Sequence, residues 1–267
     1  MPPVKSSSGV WKKIRIALLL LVLVLVAGRS WLDHYRTTSW HHAVTVGVFP
    51  LNADGSAAAT ATLSLLNQAD FEPIGAFLQR EAHRHGLALD QPVVVRLFPA
   101  PAALPPALDP EAGQLARVAW SLRLRWYTWR VISDLPRAAP TIALFLLYHD
   151  PASNAVLPHS AGMQRGLMGI VHVFASAAAM TENNIVITHE LLHTFGATDK
   201  YDLSSDAPLY PSGYADPQQS QRFPQTRAEI MAGRMAVSAS EQLMPANFDE
   251  VIVGPETAGE IGWSRAP

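Results

Sequence analysis

Residues 189–202 read HELLHTFGATDKYD, and this stretch is the most informative part of the chain. His189 and His193 are four positions apart, so on a helix their imidazoles lie on one face. Two neutral imidazoles at that spacing can bind one zinc ion. Glu190 is then placed to accept a proton from a water molecule bound to the metal.

The residues after the second histidine extend the pattern. Gly196 predicts the end of the helix, and Asp199 follows three positions later as a third metal ligand. Three protein ligands would leave one zinc position open for water. Asp202, Glu229 and Glu241 are alternative third ligands. A surface helix with incidental histidines is disfavoured, because chance seldom produces the whole pattern.

These five positions resemble the core motif of the metzincin clan of zinc endopeptidases, H-E-x-x-H-x-x-G-x-x-H/D. The aspartate in last position is similar to that of the snapalysins. The resemblance implies an α+β fold in which a mixed, twisted sheet carries the active-site helix. It also implies that the chain turns sharply at Gly196 and returns the third ligand to the metal.

The resemblance further implies a methionine turn beneath the site. Met231 is the candidate, with Met235 and Met244 as alternatives. Some metzincins carry a tyrosine two residues after this methionine, whereas this chain has Gly233 there. In the clan, extended substrate pairs with the edge strand of the sheet, and we expect residues 167–175 to form that edge.

An apolar block lies near the N-terminus, where residues 16–27 read IALLLLVLVLVA. A membrane-spanning helix takes about 20 apolar residues, and a signal-peptide core about 7–15. Trp31 and Leu32 extend the block, and Arg15 and Arg29 flank it. We predict an uncleaved signal anchor, with a cleaved signal peptide and secretion as the alternative.

The charges around this block predict its orientation. More basic residues precede it than follow it, and those that follow are diluted by Asp33; the basic residues are Lys5, Lys12, Lys13 and Arg15 before the block, and Arg29 and Arg36 after it. Basic flanks stay in the cytoplasm. The prediction is a single-pass protein of a bacterial cell membrane, with its N-terminus in the cytoplasm and its catalytic domain outside.

The chain is thereby divided into four regions. They are a cytoplasmic stub (residues 1–13), a signal anchor (14–32), a juxtamembrane segment (33–42) and one metallopeptidase domain (43–267). Hydrophobic periodicity predicts an alternation of strands at 43–51, 92–98, 141–148 and 167–175 with helices at 71–85, 111–133 and 181–195. Pro255 predicts a short terminal helix.

Residues 111–133 fit two patterns. A helical stripe is formed by Leu115, Val118, Leu122, Trp126 and Trp129. Alternation at positions 120–126 also fits a strand. The long run without proline favours the helix.

Composition limits the partners. The chain has 267 residues with a net charge of −2, and no basic run follows the first fifteen residues. This gives no support for nucleic-acid binding. The absence of cysteine excludes disulfides and thiolate ligands. The expected partners are a peptide or protein substrate and the membrane, and the oligomeric state is left open.

Together these features predict a membrane-anchored zinc endopeptidase, in which Glu190 assists a metal-bound water in peptide-bond hydrolysis. Tyr201, Tyr210 and Tyr214 are candidates to assist the oxyanion, and lone histidines such as His172 are expected to be structural. Two alternatives remain: a zinc amidase or narrow-specificity processing enzyme, and a non-catalytic binding module on the same fold.

Overall fold

The computed structural model describes residues 8–109, 112–136, 138–164 and 166–263. Helix α1, Ser8–Thr38, contains the predicted anchor and continues into the predicted juxtamembrane segment, so no helix end separates the two. The first seven residues of the predicted stub lie outside the described residues. By length and composition alone, the stretch Trp11–Thr38 is the one helix of the described chain that could cross a membrane.

Five strands form the main sheet. They are β1 (Val44–Asn52), β2 (Val93–Leu97), β3 (Ile142–His149), β4 (Ala161–Met163) and β5 (Met168–Phe174), in the order β2-β1-β3-β5-β4. The first four strands in this order are parallel, and β4 runs antiparallel to β5. Strand β3 is buried along its whole length, as its unbroken apolar sequence IALFLLYH requires. The chain is thus a mixed α+β protein with a mainly parallel sheet.

One prediction about this sheet is wrong. The sequence predicts residues 167–175 at its edge, but β5 lies between β3 and β4. The edge strand on this side of the sheet is β4, and its three residues are too few to show periodicity in the sequence.

Helices cover both faces of the sheet. Helices α2 (Ala57–Leu65), α3 (Glu72–Arg84) and α5 (Met180–Phe195) pack on one face, and α4 (Gln114–Ser133) packs on the other. Alternate residues of β3 divide between the two cores: Leu144 and Leu146 face α3 and α5, whereas Phe145 and Leu147 face α4.

Residues 114–133 are helical, but the stripe that predicted the helix does not face the core. Leu124 and Thr128 are buried against the sheet, whereas Leu115, Leu122 and Trp126 are exposed.

The C-terminal part is built from short elements. Strand β6 (Ala228–Glu229) pairs with β9 (Val251–Ile252), and β7 (Met235–Ala236) pairs with β8 (Gln242–Leu243). Helix α6, Pro255–Glu260, begins at the predicted proline. Ile261 and Trp263 then enter the core beside α5.

Candidate metal centre

Helix α5 places the two histidines of the motif and then stops. It ends at Gly196, whose φ of 109° is a left-handed conformation that favours glycine. Within the helix, Ile187 and Leu191 are buried in the core, and the two imidazoles project from roughly the opposite side. The helix is tied to β5 by Asn183, which bonds both backbone groups of Phe174.

Three ligand-type atoms converge after the bend. Nε2 of His189 lies 3.1 Å from Nε2 of His193, and Oδ1 of Asp199 lies 3.3 Å and 3.1 Å from these two nitrogens. Ligands at about 2.0–2.2 Å from a tetrahedral zinc ion are roughly 3.3–3.6 Å apart. The spacing is therefore close to that of a metal-binding group.

The hydrogen bonds of the two imidazole rings indicate which of their nitrogen atoms carry protons. Nδ1 of His189 contacts the Ile230 carbonyl at 3.0 Å, and Nδ1 of His193 contacts the Ala197 carbonyl at 2.8 Å. A carbonyl only accepts, so each Nδ1 carries a proton, and a ring that is neutral then presents a bare Nε2 to the cluster. Oδ1 of Asp199 is buried, and the polar atoms beside it are these two ring nitrogens. With both rings neutral, three acceptors face one another, an arrangement that a cation would stabilise.

The electrostatics of the cluster agree with this assignment. Burial alone lowers the pKa of His189, but Asp199 and the charge of Glu190 outweigh burial and raise it. Burial alone raises the pKa of Asp199, but its contacts with His189 and His193 bring it below the ordinary range. Both shifts show that the cluster attracts positive charge, which a proton or a metal ion can supply.

The carboxylate of Glu190 lies beside the two imidazoles, and His189, Glu190 and His193 could together hold a metal ion. Its Oε2 accepts a hydrogen bond of 2.6 Å from the amide of Gly162 in β4. A side chain at Gly162 would overlap the backbone oxygen of Glu190, so the edge strand can lie this close only through glycine. Sequence reasoning missed Gly162, since a glycine in a three-residue strand carries no distinctive signal.

The loop that carries Asp199 is fixed by helix α6. Glu260 accepts hydrogen bonds from the amide of Thr198 at 2.9 Å and from its hydroxyl at 2.6 Å. The ammonium group of Lys200, which is buried, lies 2.8 Å from Glu260. Burial raises the pKa of Glu260, but these partners outweigh burial and lower it. No sequence pattern indicates these supports, because they join residues about sixty positions apart.

The segment around Met231 lies under the histidines. Met231 is fully buried, whereas Met235 and Met244 are only partly buried. The carbonyl of Ile230 contacts His189, and the carbonyl of Met231 accepts from the Lys200 amide at 2.9 Å. The predicted turn is therefore adjacent to the candidate metal ligand His189.

Glu229 forms hydrogen bonds within this turn and does not belong to the candidate metal cluster. Its carboxylate accepts from the amides of Met231 and Ala232 on one side, and from the Gly254 amide and the Thr257 hydroxyl on the other. Burial, opposed by these donors, raises its pKa.

Asp202 and Glu241, which the sequence also offers as third ligands, have different surroundings. Oδ1 of Asp202 accepts hydrogen bonds from Ser204 and Ser205 within a tight exposed turn. Glu241 is exposed just before β8. The structure thus brings Asp199 to the imidazoles and places these two carboxylates elsewhere.

The three candidate tyrosines are separated. The ring of Tyr201 lies 6.3 Å from that of His189, and burial raises its pKa. Tyr210 and Tyr214 stack edge to face at 5.3 Å, and Arg222 covers Tyr210. Only Tyr201 lies near the cluster.

A second histidine pair lies in the main sheet. Nε2 of His149 contacts Nδ1 of His172 at 2.8 Å, at the carboxyl ends of β3 and β5. Burial lowers the pKa of His172 to about 4 and also lowers that of His149.

No protein-family model matches this chain, and a search of curated proteins found no similar sequence. The geometry of the site is therefore the basis for assigning a function.

Proposed function

We propose that the protein is a zinc-dependent endopeptidase held at the membrane by α1, with its catalytic domain outside the cytoplasm. The observation that supports this most is the convergence of His189, His193 and Asp199 beside the carboxylate of Glu190. Two nitrogens and one oxygen are a ligand set that suits zinc, and they would leave one position open.

A zinc ion in this site would supply the positive charge that acidifies a water molecule and polarises a carbonyl group. Glu190 accepts the proton of the attacking water as the new carbon–oxygen bond forms at the carbonyl carbon. It then donates that proton to the amine nitrogen as the carbon–nitrogen bond breaks. The Gly162 amide holds Oε2, so the carboxylate is oriented before substrate arrives.

The position of strand β4 favours a peptide as the substrate. It forms one edge of the sheet, and its Gly162 contacts the proton-transfer residue directly. An extended peptide that adds to this edge would bring its own carbonyl groups past Glu190 and the metal ligands.

The test compares wild-type protein with Glu190→Gln, using the full-length chain in detergent, added zinc and an unstructured protein such as casein. The amide of glutamine keeps the side-chain volume but cannot accept the proton, so cleavage should fall by about 10²–10⁴-fold while bound zinc is retained. Glu182→Gln, an exposed change on the same helix, is the matched control and should cleave normally. Equal cleavage by wild type and Glu190→Gln would refute the proposal.

A further inference from the structure

Helix α4 carries two apolar stripes on opposite sides. One stripe, which includes Leu124 and Thr128, packs against the sheet. The other, here called the outer stripe, consists of the exposed side chains Leu115, Val118, Leu122, Trp126 and Trp129. At about 100° per residue these five positions fall within one narrow sector, roughly opposite Leu124. At about 1.5 Å per residue the stripe is roughly 21 Å long.

The charges of α4 are of one sign. The helix contains four arginines and no aspartate or glutamate. On the helical projection, Arg123 and Arg130 flank the outer stripe on one side and Arg125 flanks it on the other. The guanidinium group of Arg130 lies 5.5 Å from the ring centre of Trp126. An apolar strip with tryptophans, bordered by basic side chains, is the pattern of a helix that lies in a membrane interface.

The end of α1 lies beside the outer stripe. An open cavity of about 980 Å³ is lined by Tyr35 and Arg36 of α1 and by Thr128 and Trp129 of α4. On α1, Trp31 is exposed and stacks on Tyr35 at 5.6 Å. Aromatic side chains from both helices therefore occur together where the apolar part of α1 ends, at the level where tryptophan and tyrosine prefer to lie.

The domain is joined to α1 by packed residues. Thr37 and Trp40 are buried, and the indole of Trp40 donates to the Ile261 carbonyl at 2.7 Å and contacts the Phe195 ring. With α1 in a bilayer, this packing keeps α4 close to the same membrane surface.

We propose that the outer stripe of α4 docks into the interface of the bilayer that α1 spans, with Arg123 and Arg130 on anionic lipid headgroups. Pairing with a second copy is disfavoured by charge, because two outer stripes face to face would bring Arg123 and Arg130 of both copies together, and α4 contains no aspartate or glutamate. This inference rests on α1 as a membrane helix and is independent of peptidase activity.

The test uses the absence of cysteine, which lets one introduced cysteine carry one spin label. Full-length Leu122→Cys, Leu65→Cys and Leu20→Cys are placed in nanodiscs of phosphatidylcholine and phosphatidylglycerol. Leu122 and Leu65 are both exposed, at 61% and 79%, but Leu65 lies on α2, away from the outer stripe. Leu20 lies in the apolar part of α1 and reports on the anchor alone.

The label at position 122 should lie about 5–10 Å below the phosphate level and should be shielded from a water-soluble nickel quencher. The label at position 65 should stay in water, and the label at position 20 should lie deep in the bilayer. Replacing phosphatidylglycerol by phosphatidylcholine should reduce the depth at position 122 and leave position 20 unchanged.

Two results would overturn the proposal. One is a label at position 122 as accessible to nickel as that at position 65; if position 20 is then deep, the anchor stands and only the docking fails. The other is dipolar broadening at position 122 that disappears on dilution with unlabelled chain, which would show two copies pairing through the stripe. Val118→Cys, one turn earlier, repeats the test at an independent exposed position.

Discussion

Oδ1 of Asp199 lies 3.1 Å from Nε2 of His193, across the bend that Gly196 makes at the end of α5. Nδ1 of His193 donates to the Ala197 carbonyl, so in the neutral ring both Nε2 and Oδ1 are acceptors. Two lone pairs remain this close at low cost only when a positive charge lies between them. The bend at Gly196, the loop that carries Asp199 and the edge strand β4 all lie around this contact.

Gly196→Ala should destabilise the fold and weaken metal binding. The left-handed φ of 109° costs a residue with a side chain about 1–3 kcal/mol, and the added Cβ would also meet the Gln164 amide at 2.5 Å. Gly86→Ala is the matched control, because Gly86 also follows a helix with positive φ but has open space around it. Urea unfolding and zinc titration should show a backbone penalty in both variants and lost zinc affinity only in Gly196→Ala. Equal zinc affinity in the two variants would contradict the role given to the bend.

Gly162→Ala should impair catalysis more than metal binding. The methyl group would overlap the Glu190 carbonyl and push β4 away, which removes the amide that holds the Glu190 carboxylate. We expect kcat to fall by about tenfold or more. Zinc affinity should fall by less, since the methyl group would also meet the Cβ atom of His193 at 2.9 Å. Gly113→Ala, where nothing lies within 4 Å, should leave both quantities at the wild-type level. A Gly162→Ala enzyme of normal kcat would show that this hydrogen bond is dispensable.

Glu260→Gln should destabilise the loop that carries Asp199. Lys200 is 2% exposed and would lose its nearest carboxylate, at a cost of about 2 kcal/mol or more. Glu256→Gln is the control, because Glu256 is exposed and lies 3.6 Å from the same ammonium group, so its loss should cost less than about 1 kcal/mol. Thermal unfolding of both variants measures the difference. Equal destabilisation would mean that Glu260 does not specifically hold this loop.

The contact between His149 and His172 should make the free energy of unfolding decrease in acid. The pKa of His172 is lowered to about 4 in the folded protein, from an ordinary 6.5. Between these two pKa values the unfolded chain binds a proton at His172 that the folded chain does not bind. The contribution of His172 to the free energy of unfolding is therefore complete above pH 6.5 and is lost as the pH falls towards 4. Because the side chain is partly exposed, this contribution is about 1–2 kcal/mol.

Urea unfolding of chelator-treated protein at about pH 7.5 and about pH 5, on either side of the ordinary histidine pKa, measures this effect. His172→Gln should lose less stability between the two pH values than wild type does, whereas the exposed change His159→Gln should behave as wild type. An identical pH dependence in wild type and His172→Gln would show that the pair does not titrate in this way.

Much of the fold could be predicted from periodicity. The unbroken apolar run of β3 and the helical spacing of α3 both appear in the structure at nearly the predicted positions. Strand β4 was missed, because three residues show no period. Helix α4 was predicted from its exposed stripe, since the residues that reach the core, such as Leu124 and Thr128, are interspersed with polar ones. Periodicity identified the helix but could not tell which side meets the core.

The candidate site likewise has one part that the sequence predicts and one part that it does not. The motif placed His189, His193 and Asp199 close together, because local geometry and one glycine determine their approach. The residues that hold the site in place from other elements were not predicted. Gly162 and Glu260 reach it from other elements, and such contacts depend on how the chain packs rather than on local sequence.

X-ray absorption at the zinc edge, on wild-type protein and Asp199→Ala, tests the central claim most directly. The account predicts about one zinc per chain, bound in wild type by two imidazoles and a carboxylate at about 2.0–2.2 Å, with the carboxylate contribution and most of the affinity lost in Asp199→Ala. Asp202→Ala should match wild type. Wild-type protein that retains no zinc, or an Asp199→Ala spectrum identical to that of wild type, would contradict the account.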